Sequence, residues 1–426
     1  MERFEYPRLG ENLYKIQLSN GLTVAVVPRP GFTKKLAYFV TDFGSIHTDF
    51  TLEGREIHAP AGIAHFLEHK MFDLPGGRDV SAELAALGAG VNAFTSYDMT
   101  AYYVACTEHF EECLRLLLEF VSTPYFTDES VRKEMGIIDQ EIGMNLDAPD
   151  SRVFENLMTA MYREHQIRVP ILGTSDTIRE ITPDILYDCH RAFYTPGNMI
   201  LCVVGDVDAD RVAAIAEELL GAAPRPVGKK TRPRQETMDT EIQTQEMDME
   251  VSMPTFQLGF KCEPVGGGEN AIRQEIIGDL AAEALFGESS ELYLKLYEDG
   301  LIDSSFGGGF ETIDGMAMLL CSGDSDDPEA IQAAILARAA ELAETGIEEA
   351  AFLRMKRSAL GRRIRDLDSF DSTCFRVCAY HFSDFDYFRF PEIYAQVTAE
   401  EVQAFLPRVV REERCSLSII NPIEEE

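Results

Sequence analysis

The chain has 426 residues, 45% of them hydrophobic and 26% charged, a balance that excludes intrinsic disorder. It also exceeds what one core usually holds, since single cores stop growing near about 250–300 residues. Its 38 Lys and Arg against 73 Asp and Glu leave a formal charge of −35, which excludes nucleic acid as a partner because a phosphate backbone would be repelled; a basic peptide would be attracted.

The opening MERFEYPRLG has no apolar run behind a basic start, and nowhere do roughly 18–20 apolar residues follow one another, so a cytoplasmic protein without membrane association is expected. The nine cysteines are odd in number and scattered, so they read as buried thiols rather than a disulfide framework. Cys374 and Cys378, one helical turn apart, are expected in core packing.

In chain order, YKIQLSNGLTVAVVP reads as two strands joined by a tight hairpin at Asn20-Gly21, whose residues tolerate positive φ. A third strand follows in KLAYFVTDFGS. Helices are expected in GIAHFLEHKMF and VSAELAALG, strands in VNAFTSYDMTAYYVACT, then helices in EHFEECLRLLLEFVS and TDESVRKEMGIIDQEIGMNL. The first half closes with a helix capped by Thr182, with Pro183 in its first turn, and a strand through MILCVVGDV. Residues 221–236 combine three prolines and two glycines with a cluster of Lys and Arg, and read as a basic linker. Beyond it the order repeats: strands in MDMEVSM and TFQLGFKCEP, a helix in AIRQEIIGDLAAEALFG, strands around SSFGGGFE and MAMLLCSGD, and two long helices. The closing Thr398-led helix and final strand repeat the Thr182 pattern. Gly307, Gly308 and Gly309 are expected to mark a strand bulge. The resulting fold class is α+β: two duplicated domains, 1–220 and 237–426, each a mostly antiparallel sheet with helices packed on one face.

His65 and His69 stand four residues apart in GIAHFLEHKMF, which places both imidazoles on one helical face. Two imidazoles at that spacing can ligate one zinc ion, and Glu68 between them is placed to take a proton from water. Two histidines leave zinc short of ligands, so a carboxylate from another element is required. KEMGIIDQEIGMN offers Glu134 and Glu141, about two turns apart on one face.

The HxxEH motif in GIAHFLEHKMF, together with VNAFTSYDMTAYYV, EMGIIDQEI, PILGTSDTI and FYTPGNMILCVVGDV in that order, resembles the insulinase and pitrilysin-like zinc metallopeptidases, the inverzincins. Length and the form HFLEHKMF resemble most the small bacterial YmfH-like subgroup within the two-domain, processing-peptidase-like branch. The resemblance implies that His65, His69 and Glu141 ligate Zn2+, that Glu68 is the general base, and that Glu134 supports the site. It implies further that Asn92, Ala93 and Phe94 lie on an edge strand that receives an extended peptide substrate. Half of a clamshell, with the domain at 1–220 catalytic and that at 237–426 inactive, is the architecture it implies.

The chain departs from that family in one respect. An Arg and a Tyr, seven residues apart, usually come from the carboxy-terminal half to polarise the scissile carbonyl. Here LYLKLYEDGLIDSSFGGG carries Tyr297 and Asp303 near those places, and IIGDLAAEALF replaces HxxEH in the second half. A heterodimer is therefore expected, in which a homologous zinc-less subunit carries the Arg/Tyr pair. A non-catalytic structural or binding subunit, or a dedicated maturation factor for one precursor peptide or modification pathway, are the alternatives. His165 is expected to be structural.

Overall fold

The computed structural model describes residues 1–231 and 236–423. Its strands are β1 (Glu2–Tyr6), β2 (Glu11–Gln17), β3 (Thr23–Pro28), β4 (Lys35–Thr41), β5 (Asp49–Leu52), β6 (Arg55–His58), β7 (Gly90–Thr95), β8 (Thr100–Cys106) and β9 (Met199–Gly205). Then come β10 (Lys229–Lys230), β11 (Thr244–Met249), β12 (Thr255–Cys262), β13 (Gly307–Ile313), β14 (Met316–Asp324) and β15 (Cys415–Pro422). Five helices bear on the site or on the division of the chain: α1 (Ile63–Lys70), α2 (Val80–Ala86), α3 (Phe110–Ser122), α4 (Asp128–Leu146) and α5 (Pro149–Met161).

One sheet runs β1-β2-β3-β9-β4-β8-β7 and another β11-β15-β12-β14-β13. The duplication expected from sequence is visible in pairing directions. β9 lies parallel to β3 and antiparallel to β4, and β15 lies parallel to β11 and antiparallel to β12. β8 and β7 then follow antiparallel, as do β14 and β13. Position by position, β3-β9-β4-β8-β7 repeats as β11-β15-β12-β14-β13. The fold is thus α+β and two-domain, with mostly antiparallel sheets.

Each strand alternates its side chains between two faces. On one face of the first sheet, Val24, Val26, Ala37, Phe39, Tyr102 and Val104 join a core with Leu114, Leu117, Leu118 and Val121 of α3. Full burial of such side chains contributes about 1.5–3 kcal/mol each, so this seam holds the helical layer in place. The alternating residues Tyr38 and Cys202 face the other way and are also buried. There they meet the helix Phe370–Phe382, whose Cys374 Sγ lies 3.8 Å from the Cys202 carbonyl. All nine cysteines are free and buried.

That covering helix comes from late in the sequence, and it divides the chain differently from the contiguous 1–220 and 237–426 halves. The first unit comprises Met1–Ile142, Pro170–Arg232 and Ile364–Arg389; the second comprises Gly143–Val169, Pro233–Arg363 and Phe390–Glu426. In the second unit α5 packs on β12 and β15. The physical reason is burial: an apolar helix face specifies that some sheet must cover it, not which one.

Two local expectations are corrected. At the β2–β3 hairpin only Gly21 takes positive φ, at 94°; Asn20 instead accepts a hydrogen bond from the Leu22 amide at 3.0 Å, closing a wider loop. Gly307–Gly309 form no bulge, since β13 pairs with β14 in unbroken register from Gly307 opposite Ser322 to Ile313 opposite Met316. The 221–236 segment is partly structured: Lys229 and Lys230 pair antiparallel with β5, and Lys230 meets Asp42 at 2.6 Å. Residues 232–235 of that segment lie outside the described residues. Among the described residues no helix is long and apolar enough to cross a membrane.

Candidate metal centre

α1 starts at Gly62, whose φ is 89°. A Cβ there would stand 2.4 Å from the Leu172 carbonyl oxygen, so only glycine lets the Pro170–Gly173 loop press on the start of the helix. From that start Ile63, Ala64, Phe66 and Leu67 turn into the core and are essentially inaccessible. The helical period then puts His65, Glu68 and His69 together on the remaining face.

Opposite them, α4 presents Glu141. His65 Nε2 lies 3.6 Å from Glu141 Oε1 and His69 Nε2 lies 3.7 Å from Glu141 Oε2. The ligand atoms of these three residues all fall within 4.8 Å of one another. Those separations are too long for hydrogen bonds. They are close to the roughly 3.4 Å edge of a tetrahedron whose ligands stand about 2.1 Å from its centre. His65 Nδ1 is buried and, among the described residues, has no hydrogen-bond partner. The His65 ring is therefore directed through Nε2 alone. Two imidazoles and one carboxylate converging without bonding one another fit a zinc ion by donor type and by spacing.

Glu134, two turns before Glu141, lies with Oε1 2.9 Å from His69 Nδ1. This contact raises the His69 pKa above its ordinary value, against an opposing effect of burial. Burial pushes Glu134 up, yet the hydrogen bond from His69 and the charges of His69, Lys70 and Lys133 outweigh it and hold the carboxyl low. The contact with His65 likewise holds Glu141 below the usual carboxylate range.

Glu68 behaves in the opposite sense. It is 8% exposed, and burial raises its pKa despite the hydrogen bond from Thr95 and the two imidazoles. Thr95 Oγ1 donates to Glu68 Oε2 at 2.8 Å. Thr95 was not among the residues singled out from sequence; its only signal is its place at the end of VNAFT. Lys70 was missed as well: it is 1% exposed and its ammonium pairs with Asp73.

Among the described residues β7 stands at the edge of the first sheet and pairs with β8 alone. Its alternation sets Ala93 and Thr95 on the face of Glu68, and Asn92 and Phe94 on the other. Phe94 packs there among Tyr38, Tyr103 and Phe375. The Ala93 N–H donates to Asn92 Oδ1 at 2.9 Å. Tyr297 is 54% exposed on the helix Glu291–Glu298, and Asp303 accepts from the Ser305 amide at 2.7 Å. His165 accepts from the Ile167 amide at 3.1 Å and is buried.

In the second unit the helix Glu269–Phe286, which packs on β13 as α1 packs on β7, carries Glu275 and Asp279 at the spacing of His65 and His69. A cation sits between them already. Arg363 Nη2, from the helix Glu349–Arg365, lies 2.5 Å from Glu275 Oε1 and 3.3 Å from Asp279 Oδ2. Gly278 stands where α1 has Glu68, and a Cβ on it would come within 2.2 Å of the Phe310 ring. The counterpart of the His65, Glu68 and His69 face is closed by a guanidinium and a phenyl ring.

Residues 55–175 match the model of the insulinase family, peptidase family M16, and residues 180–359 match that of the M16 inactive domain. The zinc protease YmfH of Bacillus subtilis is 36% identical over 427 residues, covering 98% of each chain. The chain belongs to the insulinase family. Among solved structures, this M16 chain is similar to an M16-like peptidase from Alicyclobacillus acidocaldarius, with TM-score 0.93 and 33% identity over 99% of this chain and 100% of that one. A protease from Helicobacter pylori shares the fold at TM-score 0.81 and 19% identity, over 96% of this chain and 99% of that one. In this M16 chain the inactive-domain match includes Gly278, Asp279 and Phe310, where the second pocket is filled.

Proposed function

We propose that this chain is the zinc-bearing subunit of an endopeptidase that hydrolyses peptides or unfolded segments. The observation that carries the reading is the convergence of His65 Nε2, His69 Nε2 and the Glu141 carboxylate beside a buried Glu68. His65, His69 and Glu141 would hold the ion, with Glu134 orienting His69. When bound, zinc supplies Lewis acidity towards a carbonyl oxygen and lowers the pKa of water to near 7.

The chain's own residues do the rest. Oε2 of Glu68 is engaged by Thr95, so Oε1 is the oxygen that would accept the proton of the attacking water and later return it to the leaving amine. An extended substrate would add to the free edge of β7 through main-chain bonds, taking over the Ala93 N–H now held by Asn92. Backbone pairing tolerates many side chains. The charge of −35 favours basic ones.

The stretch 291–303 offers Tyr297 and Asp303 rather than an Arg/Tyr pair. The proposal therefore includes a homologous zinc-less subunit that supplies those two groups, with both proteins in the cytoplasm. Missing oxyanion donors cost about two to three powers of ten in rate. The test measures zinc content and peptide cleavage for the wild type and Glu68→Gln, with and without such a subunit. One zinc per chain, with cleavage that needs the subunit and disappears in Glu68→Gln, is expected. Zinc bound without turnover in every combination would replace this reading with a non-catalytic binding subunit; full-rate cleavage by the isolated chain would remove the heterodimer from it.

A further inference from the structure

Glu68 reaches its place through a contact 27 residues along the chain: Thr95 Oγ1 to Glu68 Oε2, 2.8 Å. We infer that Thr95 is a positioning residue for the reaction, locking the Glu68 carboxylate to the substrate-receiving strand; this rests on the peptidase reading above.

The direction of that hydrogen bond is set by its neighbours. Thr100, opposite Thr95 in the β7–β8 ladder, donates its own hydroxyl proton to the Phe43 carbonyl at 2.8 Å. Thr100 Oγ1 lies 3.5 Å from Thr95 Oγ1. With the Thr100 proton committed, the Thr95 proton is directed to the carboxylate, which needs a donor because it is buried. Behind it Tyr102 and Tyr194 are fully buried and bond each other at 2.8 Å. Both phenols are therefore engaged in that mutual bond, and the ring of Tyr102 packs against Phe72 and Phe120. The wall behind Glu68 is closely packed.

Position along the strand gives the contact its consequence. Asn92, Ala93 and Phe94 precede Thr95 directly, so a peptide paired with β7 is held in register with the residue that grips the base. One Glu68 oxygen is fixed by Thr95 and the other is left for the reaction. The hydroxyl acts on geometry at the scissile bond, not on binding along the edge, so it affects turnover rather than affinity.

The experiment compares wild type, Thr95→Val and Thr95→Ser as full-length chains with the zinc-less subunit present, using an internally quenched lysine-rich peptide. Zinc per chain, thermal midpoint, KM and kcat are measured, and the Glu68 conformation is determined in a crystal structure of Thr95→Val. Valine is expected to keep one zinc and an unchanged KM while kcat falls about tenfold to a hundredfold, the loss of a hydrogen bond to a charged group. Glu68 should then adopt another rotamer, and serine should restore most of the rate. Unchanged kcat in Thr95→Val, a loss carried wholly by KM, or a serine variant as slow as valine would each overturn the assignment. If Thr95→Val does not fold, the serine variant and the effect of Thr95→Asn on kcat against KM decide by the same criteria. A wild type that never cleaves defeats the peptidase reading itself and the role of Thr95 with it, an outcome distinct from a variant that cleaves normally.

Discussion

Glu134 Oε1 lies 2.9 Å from His69 Nδ1, and this pairing decides which His69 nitrogen carries the proton. A carboxylate held low in pKa accepts, so Nδ1 donates and the lone pair on Nε2 is left towards Glu141. That tautomer is the one a metal ligand requires. Glu134→Ala should lower zinc affinity about tenfold to a hundredfold, and Glu134→Gln, which still offers an acceptor oxygen, should lose less. Competition with a chelating zinc dye measures both; equal affinity in Glu134→Ala and the wild type would count against the pairing.

Glu68 is costly to bury. Its pKa is raised because burial penalises the charged form, so the folded state binds its proton more tightly than the unfolded chain and loses stability as pH rises above the ordinary glutamate value. Glu68→Gln should therefore melt higher than the wild type at pH 7 in metal-free protein while cleaving at least about a hundredfold more slowly. Calorimetry and a peptide assay on the same preparations test the two signs together.

Zinc removal should loosen the attachment of α4 to α1. A ligand at a hundred times its dissociation constant adds about 2.7 kcal/mol to the folded state. A chelator should accordingly lower the thermal midpoint by several degrees, and one equivalent of zinc should restore it. In His65→Ala the chelator should have little effect. A midpoint insensitive to the chelator in the wild type would show that the three ligands bind no ion of consequence.

The second unit's Arg363 cluster predicts a different response. Asp279, with Arg363, Glu275 and Glu311 around it, is pushed up to about 7 by burial. A folded pKa above the unfolded 3.8 means that stability is lost as pH rises from near 4 through 7. The melting temperature of Asp279→Asn relative to the wild type should thus rise between pH 5 and pH 8. Arg363→Ala, which takes the guanidinium away from two half-buried carboxylates, should lower the melting temperature, whereas Arg363→Met, which keeps the packing of the stem, should cost less. Thermal melts of the three variants across that pH range separate these outcomes.

Sequence alone determined what depends on local period. The i, i+4 spacing placed His65 and His69 on one face with Glu68 between them, the apolar run Ile63, Phe66 and Leu67 made that element a helix, and Thr182 and Thr398 marked helix starts that the structure confirms. The repeated order of elements already implied two alike domains. Only the tertiary structure decided relationships between segments with no common period. It set Thr95 against Glu68 and filled the second pocket with Arg363 and Phe310. It also assigned α5 and the helix Phe370–Phe382 to sheets that their place in the chain does not indicate. The reason is the same in each case: an amphipathic pattern or a lone hydroxyl records that a side chain will be buried or bonded, while its partner is chosen by the packing of strands and helices far away in the chain.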